Sequence, residues 1–488
     1  MGAAVAADTL QTPESRIRTL IPARLDRLPW SRFHLMLVLA LGITWILDGL
    51  EVTLVGAVSG VLQDERTLGF TPAEIGFAAT CYLIGAVTGS LVFGYLTDRY
   101  GRRLFFFVTL AVYLVGALLT AFAWDLWSFI AFRMLTGAGI GGEYAAINSA
   151  IDELVPARLR GRIALYINGS YWVGAALGAL STMVFLNPDL FAVDIGWRVG
   201  FFVGALLSLV IILVRRHVPE SLRWEITHGR CEEAERKMDE IEARVAAECG
   251  PLTRPDEALA ITLHPRRHFG FGLIWRAAIG EYRQRAMLGL ALMISQAFLY
   301  NAIFFTYALV LTQFYAVPQG ETGLYLLPFA VGNFIGVVLL GHYFDTVGRR
   351  QMIALTYFVS ALLLLVTGWL FAQDALTAVT LTLMWTLIFF FASPAASAAY
   401  LTVSEIFPLE TRALAIAFFY SVGTGVGGVA APWLFGTLIG TGSRINVFYG
   451  YVFAAVLMVG AALVALIYGV AAERKSLEHV ARPLSARD

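Results

Sequence analysis

Lysine is nearly missing from this chain: of its 35 Lys and Arg residues, only Lys237 and Lys475 are lysine. Charge in general is scarce. Charged residues make up 14% of the 488 positions against 58% hydrophobic, and the mean hydropathy is +0.71. Soluble domains carry about a quarter charged residues, so a soluble core is excluded and lipid must solvate much of the sequence. With three cysteines there is no disulfide framework. Cys81 falls in an apolar run, and Cys231 and Cys249 in a polar loop. Histidine is absent from the middle of every apolar run, which leaves carboxylates as candidate proton carriers. No metal-ligand cluster, nucleophile elbow or nucleotide loop is present, and GAGIGG at 137–142 lies inside an apolar run and follows no strand. Neither an enzyme nor a cofactor, metal or nucleic-acid partner is expected. A cleavable signal is not expected either, because the polar, Arg-rich residues 1–32 precede an apolar run too long for one.

What the chain does contain is twelve apolar segments, near 33–62, 73–96, 104–124, 127–152, 163–187, 197–215, 287–315, 322–343, 352–372, 375–403, 413–440 and 446–471. Most reach the roughly 20 residues needed to cross a bilayer. Arginine sets their orientation. Arg16, Arg18, Arg24, Arg27 and Arg32, then Arg99, Arg102 and Arg103, then Arg158, Arg160 and Arg162, then Arg349, Arg350 and Arg412 lie on one side. The other side holds Arg66 and Arg444, with Arg198 at a boundary. The positive-inside rule puts both termini and the 216–286 loop in the cytoplasm. The expected plan is a tail (1–32), a six-helix bundle (33–216), a linker (217–286), a second bundle (287–471) and a short tail (472–488). The linker is expected to be a solvated connection carrying amphipathic helices at 231–248 and 273–287.

Two motifs recur at nearly one spacing. GYLTDRYGRR at 94–103 returns as GHYFDTVGRR at 341–350, and ELVPARLRG at 153–161 returns as EIFPLETRA at 405–413. The chain is therefore a duplicated half, the architecture of an alternating-access transporter. In the first copy Gly94 and Gly101 permit close packing and a tight turn around Asp98, Arg99, Arg102 and Arg103. The second copy holds Asp345, Gly348, Arg349 and Arg350, with Thr346 in place of an arginine, so a weaker network is expected there. Glu153 and Glu405 end matching helices and are followed by Arg160 and Arg412. Opposite charges at matching ends of two half-bundles can form a latch that breaks when one face opens. The alternative is arginines that only fix topology, which leaves the paired acids and glycines unexplained.

These motifs resemble those of the major facilitator superfamily, whose loop signature GxxxDRxGRR is complete in the first half. PESLRW at 219–224 and SEIFPLETR at 404–412 are similar to sugar porter signatures. RMLTGAGIGGEYAAINSAIDELVPARLRGR, from residue 133, is similar to bacterial metabolite carriers related to synaptic-vesicle-protein-like transporters. The resemblance implies an all-α membrane protein of twelve transmembrane helices in two pseudo-symmetric six-helix bundles, with both termini cytoplasmic. It also implies a bacterial inner-membrane carrier that works as a monomer, with a small molecule, protons and the bilayer as its partners.

Charges within the spans are expensive and mark function. Asp48 and Glu51 share a face of the first span, and Arg133 sits at similar depth in the fourth, with Glu143 deeper. The resemblance makes Glu51 and Arg133 the protonation pair of a proton-coupled porter, with Asp48 as an addition. Static pairing and direct contact of Arg133 with substrate are the alternatives. For substrate, the resemblance points to Gln296, Asn301, Phe304 and Phe305 in the seventh span, Asn168 in the fifth, Asn333 in the eighth and Tyr400 in the tenth. Amides and aromatic rings suit a small polar ligand, a sugar or an organic acid. The unpaired features suggest that the first half handles the proton and the second more of the substrate. Import with a proton is expected. A uniporter and a non-transporting receptor of the same fold are the rivals.

Overall fold

A computed structural model of the chain describes residues 17–58, 61–187, 189–215, 220–263, 280, 282–304, 306–318, 321–408 and 412–481. An amino-terminal arm, β1 (Ile17–Thr19) and α1 (Ile21–Asp26), leads into the first bundle. That bundle comprises α2 (Arg32–Val58), α3 (Pro72–Tyr100), α4 (Arg102–Ala121), α5 (Leu126–Leu154), the broken pair α6 (Arg160–Gly169) and α7 (Tyr171–Phe185), and α8 (Val193–Arg215). The linker forms α9 (Leu222–Thr227), α10 (Cys231–Cys249) and β2 (Ile261–Leu263). The second bundle comprises α11 (Arg283–Phe304) with α12 (Tyr307–Tyr315), α13 (Thr322–Leu340) with α14 (Tyr343–Thr346), α15 (Arg349–Ala372) and α16 (Ala378–Ile406). It ends with α17 (Arg412–Gly423), joined through a π-helical turn to α18 (Val429–Gly440), and α19 (Arg444–Tyr468). A short α20 (Leu477–Val480) follows. Among the described residues ten spans are long and apolar enough to cross a membrane on length and hydropathy alone; α5 and α8 complete the twelve.

Spans five, seven, eight and eleven are interrupted, where the sequence reads as continuous apolar runs. In the fifth the break frees Ser170, whose hydroxyl donates to the Gly42 carbonyl of α2 at 2.9 Å. The break also lets α7 lie on α2 so closely that a Cβ on Gly174 would stand 1.7 Å from the Ile46 carbonyl oxygen. Without a hydrophobic force between helices in lipid, such close approach is what holds spans together.

Helix starts differ between the two faces. On the face away from the termini, α3, α5 and α16 begin with reciprocal capping boxes, Thr71 with Glu74, Asp125 with Ser128 and Thr377 with Thr380. On the face that carries both termini, α4 and α15 start after Gly101 and Gly348. Their φ values of +102° and +120° need glycine, and neither residue has a capping side chain of its own.

The linker is docked rather than simply solvated. Strand β1 pairs antiparallel with β2, Thr19 opposite Ile261. Ala234, Met238, Ile241 and Val245, spaced to share one face of α10, bury against Ile21, Leu25 and Leu28. Arg24 donates to Glu242 at 3.0 and 2.7 Å and to Glu235 at 2.6 Å, and Arg27 also pairs with Glu242. Burial alone would raise the Glu242 carboxyl, but the hydrogen bonds from Arg24 and Arg27 hold it below the ordinary carboxylate value. Of the second amphipathic helix expected at 273–287, residues 273–279 and 281 lie outside the described residues, and the observed helix begins at Arg283.

Candidate substrate cavity and closed face

Between the bundles lies a cavity of about 190 Å³. Both halves line it. Trp45, Tyr82, Tyr144, Asn168, Tyr171 and Trp172 come from the first, and Gln296, Tyr300, Asn301, Phe304, Tyr400 and Tyr420 from the second. Its aromatic walls are built across the pseudo-symmetry. Trp45 stacks on Tyr144 with centroids 4.7 Å apart, and Tyr144 meets Tyr420 edge-on at 5.0 Å. Trp172 lies 5.8 Å from Tyr300 and 5.9 Å from Phe304. Thus Asn168, Gln296, Asn301, Phe304 and Tyr400 meet at one cavity, whereas Phe305 lies outside the described residues.

Two expected substrate residues stand elsewhere. Asn333 is fully buried: its amide nitrogen donates to the Phe329 carbonyl at 2.8 Å, and its oxygen accepts from the Tyr300 hydroxyl at 2.7 Å. It positions a cavity tyrosine and does not line the cavity. Arg133 does not line it either. Its guanidinium is ion-paired with Glu51, both side chains being only 2–3% exposed. Its guanidinium carbon lies over the Tyr82 ring, 4.6 Å from the centroid, and over the Phe201 ring at 5.7 Å. A buried guanidinium already neutralised by a carboxylate and packed against two rings is not presented to the cavity. Asp48 is equally buried three residues before Glu51, and Glu143 is buried deeper in α5; neither is among the cavity walls.

On the terminal face the loop motifs close the two bundles together. From the first half, the Asp98 carboxylate accepts the backbone N–H of Leu414 at 2.9 Å, so the acid sits on the N-terminus of α17 where the helix dipole favours it. Two further bonds join α3 to α17, from Ser90 to the Ala417 carbonyl at 3.2 Å and from Ser421 to the Val87 carbonyl at 3.1 Å. From the second half, Asp345 accepts backbone N–H bonds from Gly161 at 3.1 Å and Arg162 at 2.8 Å across the bundle interface. Arg349 bridges Asp345 at 2.8 Å and Glu405 at 3.0 and 3.1 Å, and Arg160 approaches Glu405 at 3.9 Å. A Cβ at Gly161 would fall 2.0 Å from Arg349 Nη1, so only glycine fits there.

In the second copy Thr346 bonds its own helix at the His342 carbonyl, while Arg349 bridges both acids. Arg99, Arg103 and Arg350 are exposed. Arg102 is buried at the start of α4, and Gly94 lies buried one turn before Asp98. Arg412 Nε donates to the Ser404 carbonyl at 2.7 Å. Glu153 ends α5, and its side chain lies outside the described residues.

Glu220 and Glu473 were missed. Glu220 accepts from the N–H groups of Arg102 at 2.9 Å and Arg103 at 3.1 Å, and Glu473 from that of Arg349 at 3.4 Å. Each lies just beyond the last span of its half and supplies the cap that the glycine at the helix start cannot. The signal was a third repeat, an acid followed shortly by Ser-Leu at 220–222 and 473–477.

Twelve spans in two bundles, a shared central cavity and a closure made from repeated loop motifs define a secondary transporter. The sequence profile for "Sugar (and other) transporter" matches residues 51–483, and the chain belongs to that family. The niacin transporter NiaP of Acinetobacter baylyi is 27% identical over 84% of this chain and 88% of its own. The putative metabolite transport protein YdjK of Escherichia coli is 29% identical over 94% and 97%. Among solved structures, the proton:xylose symporter XylE, bound to 6-bromo-6-deoxy-D-glucose, superposes with a TM-score of 0.74. It is 19% identical, with 92% of this chain and 98% of that one covered. The protein is a multi-pass membrane transporter of a small molecule, and the relatives are transporters rather than enzymes.

Proposed function

We propose that this protein imports a small polar metabolite, a sugar or small organic acid, together with a proton across a bacterial inner membrane, working as a monomer. The observation that carries the reading is the buried Glu51–Arg133 pair, separated from the cavity by the Tyr82 ring. A buried carboxylate resists ionisation, and an adjacent guanidinium favours it. In the proposed cycle Glu51 is the proton carrier, and movement of Arg133 away from it and back couples the proton to transport. Substrate pressing on Tyr82 is placed to cause that movement. The terminal face is the cytoplasmic one on the arginine distribution. The conformation described here then has its cytoplasmic face shut by the latch of Asp98, Asp345, Arg349, Glu405 and Gly161.

The relatives named for niacin and the fold neighbour that carries xylose with a proton both accord with this reading. Proteoliposomes test it. A pH gradient, acid outside, should drive accumulation of the transported solute. Glu51→Gln should abolish accumulation while sparing exchange counterflow. Accumulation by Glu51→Gln equal to the parent would assign the protein to uniport, with the ion pair as a static strut.

A further inference from the structure

Arg160 stands at the closed face, yet the carboxylate nearest to it does not lie across the bundle interface. Its guanidinium, on a side chain 1% exposed, meets Asp26 Oδ1 at 3.4 Å, the Lys475 carbonyl at 3.2 Å and Glu405 Oε1 at 3.9 Å. Glu405 and Lys475 belong to the second half and its tail. Asp26 ends α1, in the arm that precedes the first span. Nothing in the sequence singled it out, because it stands outside the spans and outside both repeated motifs. The arm is fastened to the first half. The same Asp26 oxygen accepts the N–H of Ala157 at 3.1 Å, and Arg158 donates to the Leu28 carbonyl at 2.8 Å. At the joint with α2, the N–H of Arg32 donates to Glu248 of α10 at 2.9 Å. The linker is held to the same half, since Trp224 Nε1 donates to the Asp98 carbonyl at 2.9 Å.

An opening of the terminal face parts Arg160 from Glu405 and Lys475 and leaves it with Asp26, which travels on the same half. Breaking an ion pair by removing one partner leaves a charge uncompensated, and that is strongly unfavourable for a buried group. With Asp26 in place, Arg160 keeps a carboxylate on both sides of the movement. Without Asp26 its one remaining carboxylate among the described residues is Glu405, and opening strips that away. Arg349 already holds both Glu405 oxygens, at 3.0 and 3.1 Å, so Arg160 is the second claimant on that acid.

We infer that Asp26 is a positioning residue for the transport cycle: the amino-terminal arm carries a counter-charge that moves with Arg160 and makes opening of the terminal face less unfavourable. This rests on the reading that the terminal face opens during turnover, and it is independent of the proton and of the solute. The test uses the full-length protein in detergent, with Cys81, Cys231 and Cys249 replaced and a reporter at Ser90→Cys. Ser90 is fully buried where α3 meets α17. N-ethylmaleimide reaches that position through an opened face, so its labelling rate follows the open fraction. Asp26→Asn keeps an oxygen for the Ala157 N–H and removes the charge. Labelling should slow about tenfold, less than a fully stripped buried pair implies because water enters the open cleft. In an Arg160→Gln background, where no charge is left to compensate, the same Asp26→Asn change should alter the rate by less than about threefold. Labelling of Asp26→Asn at or above the parent rate overturns the inference; a faster rate would make the arm a clamp, or the variant a misfolded one. Equal slowing in the Arg160→Gln background overturns it too, since Asp26 would then act elsewhere. A parent reporter that is never labelled would sink the opening of this face and this inference with it, whereas the other two outcomes sink this inference alone.

Discussion

Glu51 and Arg133 meet inside the membrane, where the energetics of a single pair are most exposed. The pair is almost wholly shielded from solvent, so breaking it leaves one charge uncompensated. The expected cost is about 3–5 kcal/mol. Glu51→Gln and Arg133→Gln should each lower the denaturation temperature of the detergent-solubilised protein sharply. The double variant Glu51→Gln/Arg133→Gln should recover much of the loss, because two neutral amides can bond each other. A double-mutant cycle by thermal denaturation reads the coupling, and simple additivity would mean that the residues do not act as a pair.

At the scale of elements, the amino-terminal arm and α10 form one unit held by apolar contacts and the Arg24–Glu242 cluster. The folded Glu242 carboxyl titrates below its unfolded value, so its contribution is present above the ordinary glutamate value of about 4.3 and is lost as pH falls through the lower, folded one. The protection of residues 231–249 against hydrogen exchange, relative to the unfolded chain at each pH, should therefore be high at neutral pH and fall toward strongly acidic pH. Arg24→Gln should give fast exchange there already at neutral pH. Equal protection in both proteins at neutral pH would show that the apolar face alone holds α10. The exposed edge of the cluster limits the effect, since solvent screens Glu235 and Asp239.

For the whole molecule, the two bundles must separate on the terminal face if the carrier is to turn over. The Ser90 hydroxyl of α3 lies 3.2 Å from the Ala417 carbonyl oxygen of α17, so the two helices touch across the bundle interface. In a variant with Cys81, Cys231 and Cys249 replaced, an oxidised Ser90→Cys/Ala417→Cys pair should block solute uptake into proteoliposomes. Reduction should restore it. Uptake unaffected by a demonstrated cross-link would show that this face does not open in the cycle.

Much of the molecule was legible in one dimension. Apolar length determined the twelve spans, arginine placement sorted the loops between two faces, and the repeats at 94–103 and 341–350 revealed the duplication. These follow from sequence because bilayer thickness, charge asymmetry and gene duplication act along the chain. Glu51, Arg133 and the amides of Asn168, Gln296 and Asn301 stood out because polar groups are rare in apolar spans. Only the tertiary structure decided what those residues face. Arg133 stands as the shielded partner of Glu51 and away from the cavity, its alternative place as a ligand contact, and Asn333 became the support of Tyr300. In the second loop network Arg349 reaches Asp345 and Glu405 at once, a bridge between residues 56 positions apart that no local motif shows. Tyr82, Trp45 and Tyr144 looked like any aromatic in a membrane span until α2, α3 and α5 brought them to one cavity. Which way a side chain points depends on the rotation and approach of neighbouring helices, set by glycine contacts such as Gly174 on Ile46, and that information lies in pairs of residues far apart in the chain.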